Sequence, residues 1–427
     1  MFHDSLVDFA ERRIITMIKK ITDGIKYWGQ LVLLPIYWLS FLIPRDKKIW
    51  LFGSTFGKRF ADNPRYFYLY ISQHKNELGI RPIWISHDKK IVEFLKSNGY
   101  EAYSYHSAKG IVYALKGKVF LFDNYSKDIN FWQSGGAVKI NMWHGIPLKK
   151  IQHDNIFDKF RHPKNLLEKL KNFPRNISDE KPGHYVLTTS DKLIPTFSSA
   201  FKTRNVIAAG YPRNDILISD KIKNIYTNIE KDDLAYISQQ VEKKGLKKII
   251  FYMPTFRASE TEFFKNFDIE DFNEFLKENR MLFCIKLHPK SKLRKKFDRL
   301  SGKNILIIDA DADPYVFLKC TDVLITDYSS VYFDFLLTEK PIIFFDYDLE
   351  EYLHDSREMY FDYESVTPGD KVEDYDGLKS SILSACYNER EYMERYNTLK
   401  DTTKQIVYNE IHDIACAKLL NELRKML

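Results

Sequence analysis

Two histidines stand where a chain could do acid–base work. In VKINMWHGIPLKK, His144 follows an apolar run ending at Trp143, and Gly145 and Pro147 turn the chain away from it. An imidazole in that position can take the proton of an attacking hydroxyl. Lys149 and Lys150 follow with positive charge. In CIKLHPKSK, His288 ends a second apolar run and is locked by Pro289. From Lys286 to Lys303 eight Lys or Arg face one acid, Asp298. Such a field attracts phosphates, anionic lipid or an anionic polymer. A solvated helix face accounts for part of the run, while His288 is placed to donate to a pyrophosphate oxygen.

The clearest phosphate signal is DVLITDYSSVYFDFLL. A buried strand ends at Thr326, the loop Asp327-Tyr328-Ser329-Ser330 follows, and a helix opens near Val331. Ser329 and Ser330 can cap that helix, the simplest work for any serine pair there, or aim their hydroxyls at an anion with the free backbone N–H groups. Thr255 and Arg257 in YMPTFR end another strand and add a hydroxyl and a guanidinium, which pairs bidentately with phosphate. Asp309-Ala-Asp-Ala-Asp313 has D-x-D spacing, but Asp313 before Pro314 is explained as a helix cap with Pro at N1, so no metal site is assigned. There is no Walker lysine motif and no G-x-G-x-x-G, which excludes the common NTPase and nicotinamide sites.

Elements that position these residues can be read from the alternation of apolar runs. Strands are expected at Lys48–Gly53, Arg81–Ser86, Lys118–Phe122, Val138–Trp143, Tyr185–Thr189 and Asn205–Ala209, with helices at Pro64–His74 and Lys89–Ser97. After a polar stretch a second series follows at Lys248–Met253, Leu282–Leu287, Asn304–Asp309, Asp322–Thr326 and Pro341–Asp346. Helices fit at Asp268–Asn279, Pro314–Lys319 and Val331–Leu337, and the chain beyond Val372 reads as helical and charged. Strands joined by helix-length crossovers imply parallel sheets covered on both faces. The expected architecture is α/β: two doubly wound, Rossmann-like domains facing each other across a cleft, with ligands outside the carboxyl ends of the strands. The expected divisions are 1–46, an N-terminal amphipathic helical segment; 47–218, the first domain; 219–245, an interdomain linker or helix; and 246–427, the second domain with terminal helices.

With 427 residues and 44% apolar content, each domain can bury a normal core. A net charge of +7 is too small for a dedicated nucleic-acid binder, and four scattered cysteines form no zinc spacing. A mean hydropathy of −0.38 excludes a polytopic membrane protein. Ile14, Ile18, Ile21, Ile25 and Trp28 nevertheless share one helical face among Lys and Arg. The uncharged run Leu31–Ile43 follows, too short to span a bilayer and broken by Pro35. An interfacial anchor on an anionic membrane surface fits this pattern; the competing reading is a helical pair packed on the protein's own core.

Taken together, DNPRYFYLYI, WHGIPLKKI, GYPRND, YMPTFR, KLHPKS and LITDYSSVYFDF resemble, in order, the CDP-glycerol:poly(glycerophosphate) glycerophosphotransferase family of teichoic-acid synthesis. The resemblance implies a GT-B arrangement and a peripheral, monotopic enzyme on the cytoplasmic face of the cell membrane. It carries the two functional histidines onto His144 and His288, and donor phosphate binding onto Thr255, Arg257, Ser329 and Ser330, with Asp327 in the same loop. Gly145, Lys149, Arg213, Asn214 and Asp215 are further donor or acceptor contacts. The implied partners are CDP-glycerol or another CDP-polyol and a lipid-linked acceptor, without nucleic acid. No tightly bound cofactor is expected, and no site marks divalent-ion assistance. Ile146 departs from the family's usual Thr after WHG, which removes any hydroxyl role there. The rival readings are a GT-B glycosyltransferase using a nucleotide sugar and a non-catalytic membrane scaffold.

Overall fold

The computed structural model describes residue 17 and residues 22–179, 183–255, 267–287, 291, 297, 304–349, 358–410 and 412–427. Ile14, Ile18, Ile21, Arg257, His288 and most of the basic run 286–303 lie outside the described residues. Seven strands build the first sheet: β1 Asp46–Phe52, β2 Arg81–Ser86, β3 Ala102–Ser104, β4 Gly117–Phe122, β5 Val138–Asn141, β6 Tyr185–Thr188 and β7 Val206–Ala208. Their order is β3-β2-β1-β4-β5-β6-β7, and every pair is parallel. Six strands build the second: β8 Lys248–Tyr252, β9 Met281–Ile285, β10 Ile305–Ile307, β11 Val323–Thr326, β12 Ile342–Phe345 and β13 Asp370–Val372. Their order is β10-β9-β8-β11-β12-β13, again parallel throughout.

Strand order reverses between β1 and β4 in one sheet and between β8 and β11 in the other. At such switch points the neighbouring crossovers run to opposite faces and leave a crevice at the carboxyl ends. Leu51 sits between Ile83 and Phe120, and Ile325 between Tyr252 and Ile343. These residues are fully or almost fully buried, as the continuous apolar runs require for strands covered on both faces. The strands β3 and β13 escape the sequence pattern, since three residues at a sheet edge carry too little periodicity.

The connection between the domains is helical, and the last helix packs apart from the second domain. The polar stretch after residue 218 contains the helix Asn228–Lys244, opened by a reciprocal Thr227–Glu230 capping box. Glu230 binds Arg65 of the first domain at 2.6 Å and accepts from the Asp313 N–H of the second. This connection therefore ties the domains together as well as joining them. The last helix, Ala415–Met426, belongs to the first domain by its packing. The Asp215 carboxylate accepts from the N–H groups of Ala415 and Cys416 at 2.7 and 2.8 Å. The chain thus crosses back after the helix Glu389–Val407, and the second domain does not run to residue 427.

At the other end, residues 22–29 are helical and Leu34–Leu39 forms a short helix. Tyr37 stacks on Phe131 at 4.7 Å, and Arg45 donates to the carbonyls of Ala114 and Gln133. Those contacts pin the segment to the first domain while Val32, Trp38, Leu39 and Leu42 stay exposed. Beside it lies the amphipathic helix Leu166–Asp179, which the sequence reading missed. The Tyr27 hydroxyl donates to the Lys171 carbonyl at 2.7 Å and joins the two. Leu166, Leu167, Leu170 and Phe173 on this helix, with Ile156 and Phe157 before it, are all exposed. Among the described residues no helix is long and apolar enough to cross a membrane.

Candidate active site between the two sheets

β5 ends at Asn141, two residues before the expected end at Trp143. The Asn141 side chain accepts from the Trp143 N–H at 2.8 Å, a local turn that competes with the strand ladder. Trp143 then takes a φ of +52°, a left-handed conformation that bulky residues rarely adopt. The next side chain, His144, is exposed at the sheet's carboxyl edge. Its Nδ1 lies 3.1 Å from the carbonyl oxygen of Asp123, the residue after β4. A carbonyl can only accept, so Nδ1 carries the hydrogen and, in the neutral ring, Nε2 keeps the lone pair.

Asp123 in turn is held firmly. Its carboxylate accepts from Ser54 Oγ at 2.7 Å and from the Thr55 N–H at 2.8 Å. Asp128 beside it accepts from the N–H groups of Phe56, Asn124 and Tyr125. Burial, and then the charge of Asp123, push the Asp128 carboxyl well above the usual range. This buried pair fixes the loop after β1 against the loop after β4, at the switch point of the first sheet. The sequence reading placed Phe122 at a strand end without extending the argument one residue to Asp123.

In the second domain the loops after β8 and β11 are laced together at the corresponding point. Thr326 Oγ1 donates to the Met253 carbonyl at 2.9 Å, and both oxygens of Asp327 receive the Thr255 N–H at 2.9 and 3.0 Å. Asp327 is fully buried and shapes the loop. Ser329 and Ser330 are partly exposed. Ser330 opens the helix Val331–Phe335 with no side-chain capping bond. The capping role expected as the simplest one is therefore not what its hydroxyl does. β9 ends beside β8, with the Lys286 N–H donating to the Tyr252 carbonyl at 3.0 Å, so Lys286 and Leu287 leave at the same edge of the sheet. Burial and the nearby Arg59 guanidinium push the Lys286 amine down to about 7.

The two domains meet at this edge. A Cβ placed on Gly145 would lie 2.9 Å from Ser330 Oγ, so any larger residue there would have to displace that hydroxyl. The residue next to His144 thus touches the serine loop of the opposite domain. Ile146 is fully buried in the core, so its lack of a hydroxyl is not felt at the opening. Lys149 pairs as an isolated antiparallel bridge with Met359, and the Lys150 N–H donates to the Glu358 carbonyl, which docks this segment on the second domain. Arg213, Asn214 and Asp215 are buried and committed elsewhere. Arg213 binds Asp62 and Asp334, Asn214 donates to the Tyr408 hydroxyl, and Asp215 caps the last helix. Asp313 caps as expected, accepting from the Tyr315 N–H at 3.0 Å.

The chain matches the CDP-glycerol:poly(glycerophosphate) glycerophosphotransferase family over residues 36–409. It belongs to that family. A teichoic acid poly(glycerol phosphate) polymerase of Bacillus spizizenii is 26% identical over 401 residues, covering 90% of this chain and 93% of the relative. A teichoic acid glycerol-phosphate transferase of Staphylococcus aureus is 27% identical over 361 residues, covering 82% and 87%. The solved wall teichoic acid polymerase TagF superposes with a TM-score of 0.67 at 22% identity, over 96% of this chain and 99% of that one. The last likeness shows the shared GT-B-like fold. As a glycerophosphotransferase family member, this protein is a CDP-polyol phosphotransferase of teichoic-acid synthesis.

Proposed function

We propose that the protein moves glycerol phosphate, or a related polyol phosphate, from CDP-glycerol to a hydroxyl of a membrane-linked acceptor, in teichoic-acid-like or capsule polymer synthesis. The acceptor oxygen forms a bond to the β-phosphorus as the bond from that phosphorus to CMP breaks. His144 Nε2 takes the hydroxyl proton, and CMP carries away the electron pair of the broken bond. Ser329 and Ser330, with Thr255 nearby, hold the donor phosphates; Arg257 and His288 are assigned by their sequence positions to the same charge. Phosphoryl transfer asks chiefly for positioning and charge stabilisation. The observation that supports the reading is the approach of Gly145, the residue after His144, to the Ser330 hydroxyl of the opposite domain.

Membrane attachment forms part of the proposal. The exposed apolar residues of 25–43 and of 156–173 form neighbouring patches joined through Tyr27 and Lys171. Lys26, Lys159, Lys164, Lys169 and Lys171 are exposed among them. Apolar side chains entering the acyl boundary under a basic rim suit an anionic bilayer surface. Such placement on the cytoplasmic face would bring the protein to a lipid-linked acceptor.

Incubation with a panel of CDP-alcohols and lipid-linked acceptors, reading CMP and product mass, tests the chemistry. The expected product is an acceptor heavier by one polyol phosphate. A new glycosidic bond from a nucleotide sugar, or no CMP from any CDP-alcohol, would overturn it. Parallel reactions with and without EDTA report any metal requirement.

A further inference from the structure

The motifs DNPR and GYPRND contribute largely buried side chains that bracket the His144 turn. Asn63 Nδ2 donates to the carbonyls of Met142 and Trp143 at 3.1 and 2.9 Å, just before the histidine. The Tyr211 hydroxyl donates to the Gly145 carbonyl at 3.0 Å, just after it. Asn63 Oδ1 accepts from the Arg213 N–H at 3.2 Å, closing the bracket into one unit.

Arg213 carries that unit across to the other domain. One guanidinium nitrogen binds Asp62 at 2.9 Å and the other binds Asp334 at 2.7 Å. Asp334 is fully buried and lies on the short helix that Ser330 opens. It also receives the Tyr315 hydroxyl. A planar guanidinium whose two donors are each fixed on a carboxylate transmits position in a way that a lone ammonium does not.

We propose that Arg213 and Tyr211 are positioning residues that hold the His144 turn at a set distance from the Ser330 loop. They touch neither donor nor acceptor. The inference rests on the phosphotransfer reading for its kinetic consequence, but not for its structural one. Small displacements of a reacting group carry large rate penalties, because the attacking oxygen, the phosphorus and the base must be aligned at once.

The test compares Tyr211→Phe, Arg213→Lys and Arg213→Lys with Asp334→Asn against wild type. CMP release from CDP-glycerol with a synthetic glycerol-phosphate lipid gives kcat, and calorimetry gives the CDP-glycerol Kd. Tyr211→Phe should lower kcat about tenfold and Arg213→Lys about 100-fold, with Kd within about threefold of wild type. Asp334→Asn should add little to Arg213→Lys, since both break one link. A ring-nitrogen spectrum of His144 in 15N-histidine protein should shift in Tyr211→Phe, a change that loss of stability alone does not cause. Folded variants with wild-type kcat would overturn the proposal, as would a Kd that weakens in step with kcat/KM, which would make Arg213 a donor ligand. Should Arg213→Lys fail to fold, Tyr211→Phe, lacking one hydroxyl, carries the decision. Should wild type release no CMP, the transfer reading falls, while an unmoved His144 signal in Tyr211→Phe would separately overturn the positioning role.

Discussion

His144 Nδ1 is tied to the backbone carbonyl of Asp123 at 3.1 Å, across the gap between the ends of neighbouring strands β5 and β4. That single bond selects the tautomer, because the acceptor has no proton to give. In the neutral ring Nε2 is then the nitrogen left with the lone pair, set by the chemistry of a neighbour's main chain.

Removal of that base should be expressed in turnover. His144→Ala is expected to lower kcat by roughly 10²- to 10⁴-fold, the usual contribution of one general base. CDP-glycerol affinity measured by calorimetry should remain near wild type. An equal loss of binding would reassign His144 to the donor phosphates.

The Asp123–Asp128 pair predicts a pH effect on stability. The folded protein holds the Asp128 proton where the unfolded chain has released it, since the folded value is raised. Stability from this group is complete below the ordinary aspartate range and declines as pH rises through the interval up to the raised value. Asp128→Asn removes the titration. The melting temperature of the variant relative to wild type should therefore climb from about pH 4 upward, and a constant difference across pH would contradict the raised Asp128 carboxyl.

At the interdomain contact, Gly145→Ala should displace the Ser330 hydroxyl, because the added carbon would sit 2.9 Å from Ser330 Oγ. Weaker CDP-glycerol binding is expected, with little change in melting temperature. Combining it with Ser330→Ala should cost no more binding than Ser330→Ala alone, as the two changes act on one gap. Fully additive losses would separate the two residues.

For the membrane surface, replacing Leu166, Leu170 and Phe173 with Ser should reduce sedimentation with anionic vesicles. These residues are exposed, so the fold should hold, and turnover of a soluble acceptor analogue should persist. Undiminished vesicle binding would move the attachment elsewhere on the molecule.

Some elements were legible to the residue. β2 and the helix Lys89–Ser97 lie where apolar spacing puts them, and Asp88 caps that helix by accepting from the Lys90 N–H. Local signals suffice there because the strand is buried on both faces and the helix opens on its own cap. The helix Leu166–Asp179 was missed: it contains Pro174, and its apolar residues face outward rather than matching a core stripe. Ser329 and Ser330 were found at a strand end, whereas the structural work of Arg213, Asn214 and Asp215 could not be read, since a buried charge is recognised only by its partners.

The order of apolar runs and crossovers was enough to determine two parallel sheets and to set His144, Thr255, Ser329 and Ser330 at carboxyl edges, because strand direction and crossover handedness are local consequences of chain chemistry. Tertiary structure alone decided that Gly145 faces Ser330, that Asp123 chooses the tautomer of His144, and that Arg213 reaches Asp334, 121 positions away. Those pairings depend on how two finished sheets pack, and no periodicity along one strand or helix encodes the distance between them.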